Sequence, residues 1–550
     1  MSVVTATLLS EKKEIKTIYH LVSIDIRREV NRIPYASLVL LDGDTAKREF
    51  PMSDSGYFEP GAEIEVKLRY EADPASKDAT LFKGPVIRHG IEASARGALL
   101  KLEMSDAAIK LTRARKSTVF AAKTTDKDAI GKVLKECEVG AGTLAKADIE
   151  HKQLIRYDST GWDFILLRAQ ANGLWVVADD GKVSTIDPRE AAEKTHTLAY
   201  GTKDVIYELE MEADAQQQLD AVQAVGWSVE KQEPSKPAEA KAYALAQGNL
   251  DGTKLAGAVG AASYLLSHPV PVATEELQAW ADASLVRSRL SMIRGRLALP
   301  GRADIKIGDA VSIDGVGKRF NGKARVTGVC HRVDVEGWRT DIQLGLSARS
   351  FAREEGISDA PAAGLLPPVN GLQIGVVDKF EKDPDEQLRV KVNLPGIDAK
   401  TGVVWARLAA PDAGKNRGWF FRPEPGDEVV VGFFNNDPRQ AVILGGLHGP
   451  KNTPPENFSE LTQENKTKVL VTKTGTIFGF MDDKKGSVFI ETAGGARVLL
   501  DDSAKSLELI DQNGNELKMD KDGIKIKTAK DLKIEATGNV EIKGAKVDIK

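Results

Sequence analysis

Over the first hundred positions, apolar and polar residues tend to alternate with period two. Ile64-Glu65-Val66-Lys67-Leu68-Arg69-Tyr70 keeps the alternation throughout, and Leu99-Leu100-Lys101-Leu102-Glu103-Met104 keeps it in part. Ala36-Ser37-Leu38-Val39-Leu40-Leu41 is a short apolar run closed by Asp42-Gly43-Asp44. Successive side chains of a strand point to opposite faces, so this pattern predicts half-buried antiparallel strands with one face on a core. The period then lengthens to that of a helix. Thr125 and Asp126 offer capping oxygens ahead of Ile130, Val133, Leu134 and Cys137, spaced i, i+3, i+4, i+7. A second helix is predicted from Ser159 or Thr160 through Trp162, Ile165, Leu166 and Ala169 to Asn172-Gly173. A third is predicted from Thr274 through Leu277, Trp280, Leu285 and Met292 to Gly295, with Glu275 and Glu276 set against its dipole.

Residues 231–262, rich in Ala, Gly, Lys and Pro, read as a surface insertion, and short strands return at 310–313, 324–329 and 340–344. Asp359-Ala360-Pro361 through Pro367-Pro368 punctuates as a linker. Beyond it Leu388, Val390, Val392 and Leu394 alternate, then Val403-Val404-Trp405 and Glu428-Val429-Val430-Val431 follow between Gly, Pro and Asp turns. A stretch of about 80 residues of short strands without helical periodicity predicts a small β-barrel.

The last 75 or so residues carry the strongest pattern, an apolar–x–apolar doublet repeated eight times. The doublets are Val488/Ile490, Val498/Leu500, Leu507/Leu509, Leu517/Met519, Ile524/Ile526, Leu532/Ile534, Val540/Ile542 and Val547/Ile549, at spacings of 10, 9, 10, 7, 8, 8 and 7. Past Phe489 there is no aromatic residue, proline, histidine or cysteine. Each doublet predicts a strand of about three residues, too short to offset the roughly 1–2 kcal/mol needed to fix each residue. Such strands need partners. A single-chain solenoid uses roughly 20 or more residues per repeat, more than twice these spacings, whereas three chains each giving one short strand per level fit them. The expectation is a homotrimeric, intertwined β-helix.

At 550 residues the chain exceeds one core and suggests three or four domains. Lys plus Arg (76) nearly balances Asp plus Glu (80), which excludes a globally basic nucleic-acid binder. Two cysteines, Cys137 and Cys330, cannot form a disulfide framework and fit synthesis in a reducing compartment. Glu11, Lys12 and Lys13 interrupt the N-terminus before a signal-peptide core forms, and no apolar run is long enough to span a bilayer. The expected site of synthesis is therefore the cytoplasm.

Candidates for catalysis are weak. Gly140-Ala141-Gly142-Thr143-Leu144-Ala145 matches GxGxxA but follows a helix, not a strand. Asp511-Gln512-Asn513-Gly514-Asn515 resembles the start of a calcium loop, yet Glu516 stands where glycine is required. Cys330 and His331 are adjacent on a predicted strand and so face opposite ways. The seven histidines show no metal-ligand spacing, and the pairs Asp482/Asp483 and Asp501/Asp502 lie in turns. No catalytic residue, metal site or cofactor is expected, and no enzyme activity.

The barrel segment, with Leu388-Arg389-Val390-Lys391-Val392, Trp405-Ala406-Arg407, Pro425-Gly426-Asp427-Glu428-Val429-Val430-Val431 and Asn436-Asp437-Pro438-Arg439, resembles the OB-type domain of VgrG spike proteins. Upstream, Phe82-Lys83-Gly84, Gly161-Trp162-Asp163-Phe164 and Phe320-Asn321-Gly322 resemble the baseplate-hub domain that VgrG shares with contractile phage tails. The resemblance implies a mainly β chain with some α. It places a hub of barrel-like modules with inserted helices over 1–360, a linker over 361–370, an OB-fold barrel over 371–450, a connector over 451–475 and a trimeric β-helix spike over 476–550.

It implies a structural, membrane-puncturing hub–spike of a contractile injection machine. As a homotrimer it would contact inner-tube and baseplate proteins, effector cargo and, transiently, a target cell envelope, without nucleic acid. The trimer core would be Val488, Ile490, Val498, Leu500, Leu507, Leu509, Leu517, Met519, Ile524, Ile526, Leu532 and Ile534. A PAAR-type tip protein would dock on Val540, Ile542, Val547 and Ile549. The short form resembles spikes of extracellular phage-tail-like particles more than long type VI secretion proteins, and the assembled particle would leave the cell. The alternative is a phage-type tail spike with cell-wall or polysaccharide hydrolase activity.

Overall fold

The computed structural model describes residues 3–44, 46–71, 77–95, 97–201, 205–260, 263–353, 356–357, 361–396, 398, 402–460, 462–483 and 485–550. Met1 and Ser2 at the N-terminus, Ala261 and Ala262 of the expected insertion, and Asp359 and Ala360 of the expected linker lie outside the described residues. The chain divides into two units, Met1–Asp359 and Ala360–Lys550.

In the first unit the period-two segments form strands as expected. Tyr35–Leu41 and Glu63–Tyr70 alternate buried and half-buried positions, so Ala36, Leu38, Leu40, Ile64, Val66 and Leu68 meet in one core. These strands belong to a long sheet running Glu208–Ala213, Ile293–Pro300, Gly337–Leu344, Gly322–Asp334, His20–Glu29, Tyr35–Leu41, Gly97–Ser105, Ala79–Ser94, Glu63–Tyr70 and Val4–Ser10, each antiparallel to the next. A second strand-built core gathers Leu297, Leu299, Val311, Ile313, Val326 and Ile342. Register shifts at Val86/Arg88 and Val326/Gly328 mark bulges in the two longest strands, where twist increases locally.

Helix α1 (Asp126–Glu136) and helix α2 (Gly161–Ala171) begin where their caps lie in the sequence. The Thr125 hydroxyl accepts from the Asp128 amide and the Thr160 hydroxyl from the Asp163 amide, each at 3.1 Å. Cys137 caps the end of α1 half-buried against their shared core, and burial raises its thiol pKa.

Two expectations need correction. Residues 231–262 are more than a surface insertion: they contain helix α3 (Gly252–Ala258), and Ala238, Gln247 and Ala256 are buried. Ala238 packs with Val222, Leu277 and Ala281, and the Gln247 side-chain amide donates to the Phe320 carbonyl at 3.1 Å. Small side chains that suggest exposure by composition here allow close packing. Helix α4 (Thr274–Leu290) also stops short of Gly295. The Ser291 amide closes its last turn, and Met292 and Ile293 lead into the strand Ile293–Pro300. The apolar positions there serve a strand, not a helical stripe.

The second unit opens on a closed five-stranded barrel. Its strands follow the order Gln373–Val377, Val390–Asn393, Val403–Leu408, Ala441–Gly446 and Glu428–Phe433, which returns to the first. The one parallel pairing joins Val403–Leu408 to Ala441–Gly446, which makes the connectivity that of an OB-fold. Val377, Val390, Val392, Leu394, Val429, Val431 and Ile443 fill it. A Cβ on Gly375 would lie 2.4 Å from the Val392 side chain, so the barrel admits only glycine there without repacking. Near the start of Val390–Asn393, Asp383 accepts from the Asp385, Gln387 and Arg389 amides and holds the Arg389 guanidinium at 2.6 Å. These donors, led by the guanidinium, hold its carboxyl well below the usual range.

Candidate functional site

After the barrel the chain folds into seven five-residue strands: Thr467–Val471, Ile477–Met481, Ser487–Glu491, Arg497–Asp501, Ser506–Ile510, Glu516–Asp520 and Gly523–Lys527. Each pairs antiparallel with its sequence neighbour. In one chain this is a meander of five-residue strands rather than the three-residue strands expected. The doublets mark strand centres, and the flanking polar residues extend the pairing.

Register decides what this ladder can do. Val488 stands opposite Leu500 and Ile490 opposite Val498. Leu500 then faces Leu507 and Val498 faces Leu509, Leu507 faces Met519 and Leu509 faces Leu517, and Met519 faces Ile524 and Leu517 faces Ile526. Directly opposed residues share a face, so the doublets from Val488 to Ile526 form one continuous apolar face. The sequence reading missed its upper end: Phe480 stands opposite Val488 and Phe478 opposite Ile490, with their rings 5.1 Å apart and T-shaped. The same apolar–x–apolar spacing was visible there, ten residues upstream of the first doublet. Leu470 extends the face by one more strand.

Among the described residues this face stays partly open in the single chain. Leu500 is 48% exposed, Ile524 69% and Ile526 57%, and no doublet residue is buried. The opposite face is different. Phe489 is buried there with its ring over Gly479, where a Cβ would come within 2.4 Å of it. Arg497 lies 5.9 Å from the same ring, and Lys518 pairs with Glu508 at 2.7 Å. One face is satisfied internally and the other is left apolar and partly exposed.

The turns on one side of the ladder share a single design. Thr472, Thr492 and Asp511 each accept, through a side-chain oxygen, the amide of the residue four positions on, at 2.8–3.1 Å. Gly475, Gly495 and Gly514 follow at φ of 83°, 86° and 88°, the left-handed region that favours glycine. The calcium-loop-like stretch is therefore a turn, and its amide donors lower the Asp511 pKa to about 2. Past Lys527 no strand follows. Leu532, Ile534, Val540, Ile542, Val547 and Ile549 are all more than half exposed and pair with no strand of their own chain among the described residues.

The other residues singled out in the sequence sit as follows. His331 is buried with its Nδ1 3.0 Å from the Thr340 hydroxyl, and burial pushes its pKa down to about 3. Burial raises the pKa of the Cys330 thiol. Gly140–Leu144 is a strand paired in parallel with Lys182–Ile186. Trp162 and Phe164 are core residues, and Lys391 and Arg389 lie over the Trp405 ring at 5.3 and 5.8 Å. Among the described residues no three His, Cys, Asp or Glu side chains gather as metal ligands.

Residues 1–335 match the family model described as the Alg8 N-terminal domain. The chain belongs to that family. Residues 373–448, the closed barrel, match the type VI secretion system/phage-baseplate injector OB domain. Among curated proteins, the chain is 36% identical over 122 residues to the actin cross-linking toxin VgrG1 of Vibrio cholerae, which covers 21% of this chain and 11% of that protein. It is 34% identical over 133 residues to the type VI secretion system spike protein VgrG1c of Pseudomonas aeruginosa, covering 22% and 18%. The matched stretch thus spans less than a fifth of either relative's length. The tail protein of Neisseria meningitidis MC58 is 14% identical at a TM-score of 0.45, over 63% of this chain and 98% of its own. So loose a structural likeness adds nothing to the family matches. The resemblance to VgrG-type spikes read from the sequence is borne out, as is the mainly β fold with its OB barrel.

Proposed function

We propose that this chain is the hub and spike of a contractile injection machine, working as a homotrimer. The observation that carries the reading is the open apolar face of the ladder, which continues a barrel of the injector OB type. Covering that face takes other chains of matching period, and two further copies supply them in register. The last doublets, unpaired within one chain, then become strands of a triple-stranded β-helix whose hydrogen bonds and core are shared by all three. No chain of such a shaft peels away alone, and that suits it to piercing an envelope.

In this reading Met1–Asp359 caps the inner tube and meets baseplate proteins. Val540, Ile542, Val547 and Ile549 form the last coil and receive a PAAR-type tip protein, and effector cargo rides on the spike. The particle is assembled from cytoplasmic chains and delivers the spike outside the cell. The role is mechanical rather than catalytic. The mass of the intact chain in solution tests it: three chains per particle is the expected result, and a stable monomer at micromolar concentration sinks the proposal.

A further inference from the structure

Two cavities of about 760 and 700 Å³ lie on either side of the segment that follows Gly337–Leu344 in the first unit, and they share Arg287, Ser347 and Arg349 as lining residues. Arg287 projects from α4. Among the described residues neither Arg287 nor Arg349 has a carboxylate within ion-pair distance, and the Arg353 guanidinium beside them donates to the Tyr264 hydroxyl, at 3.2 Å. The second cavity contains one acid, Asp214, which already faces Arg294 at 3.6 Å. Burial, with Arg353 nearby, lowers the pKa of Arg287 from its ordinary value. A covered guanidinium without a counter-charge is costly, and an incoming anion relieves that cost. Apolar walls flank the arginines, Trp162 and Leu166 on one side and Trp280 and Leu266 on the other.

We propose that this cleft is a docking site for an acidic, carboxylate-bearing segment of a partner protein, gripped by Arg287 and Arg349 and packed against Trp280. Charge complementarity sets the sign of the occupant. The paired cavities, far larger together than one small anion, with aromatic and aliphatic walls between the cations, favour an extended peptide over free phosphate. Arginine meets a carboxylate with two parallel N–H donors, which fixes the segment's register as well as its charge.

Fluorescence anisotropy of the intact chain with a fluorescein-labelled peptide of alternating glutamate and leucine tests this, with inorganic phosphate as competitor. Arg349→Gln, at an exposed position, should weaken binding about ten-fold, and adding Arg287→Gln should bring the loss to about a hundred-fold. Arg417→Gln removes the same charge from the barrel unit and should leave binding unchanged. The proposal is overturned if the intact chain does not bind the peptide, if Arg349→Gln binds as well as the native chain, or if Arg417→Gln weakens binding equally. Displacement of the peptide by phosphate at comparable concentration would assign the cleft to a small anion and overturn it too. None of these outcomes bears on the mass of the assembled spike.

Discussion

Leu500 sits mid-ladder, opposite Val488 on one side and Leu507 on the other. Fully burying a leucine is worth about 2 kcal/mol. In the single chain Leu500 is 48% exposed, so roughly half of that, about 1 kcal/mol, is left for neighbouring copies to supply. In the proposed trimer, threefold symmetry repeats the loss at one level of the ladder. Leu500→Ala should therefore weaken the trimer by about 3 kcal/mol, about a hundred-fold in its dissociation constant. The assay is a urea titration at fixed chain concentration, followed by light scattering for mass and circular dichroism for strand content. The substituted trimer should come apart at clearly lower urea. Leu365→Ala, which truncates a residue 69% exposed outside the ladder, serves as the control and should not move the midpoint. If the two variants behave alike, the ladder face is not an interface and the trimer reasoning fails.

Three further outcomes follow from local geometry. Gly375→Ala drives a methyl into the Val392 side chain inside the barrel, and should cost about 1–3 kcal/mol in thermal unfolding of the second unit. The Asp511 carboxyl titrates near 2 when folded and near 3.9 when unfolded. It thus contributes stability above about pH 4 that is lost as pH falls toward 2. Asp511→Asn, melted across that window, should show a flatter pH dependence than the native chain. His331 is held neutral, its pKa pushed down to about 3, while the unfolded imidazole takes a proton near 6.5. Stability of the first unit should therefore fall as pH drops from about 6.5 toward 3, and His331→Gln should remove part of that slope; an unchanged slope would refute the buried, neutral assignment.

Much of this was legible in the residues because local chemistry and global fold agree. Thr125 and Thr160 cap their helices as their positions suggest, and the alternation at 64–70 gives a strand with the expected buried face. The doublets from Val488 to Ile526 fall at strand centres, on one face of the ladder. What was missed has physical causes. Met292 fits a helical stripe and a strand equally well, and only the closing Ser291 amide decides between them. Ala238 and Ala256 read as surface by composition, because burial of small residues depends on partners distant in sequence. Phe478 and Phe480 escaped because the aromatic-free stretch drew the boundary too late. The arginines around Arg287 are assembled from α4 and from residues about sixty positions later, a juxtaposition that no local pattern encodes.

The three matching turns at Thr472, Thr492 and Asp511 recur every 19 or 20 residues, once per two strands. Strands in a sheet are spaced about 4.8 Å apart, so each such unit advances the ladder by about 10 Å. Inserting or deleting one unit keeps every doublet on the same face and every glycine in its turn. Ladder length is then a quantity that gene duplication can change in steps, like notches on a ruler, while the first unit and the barrel stay as they are.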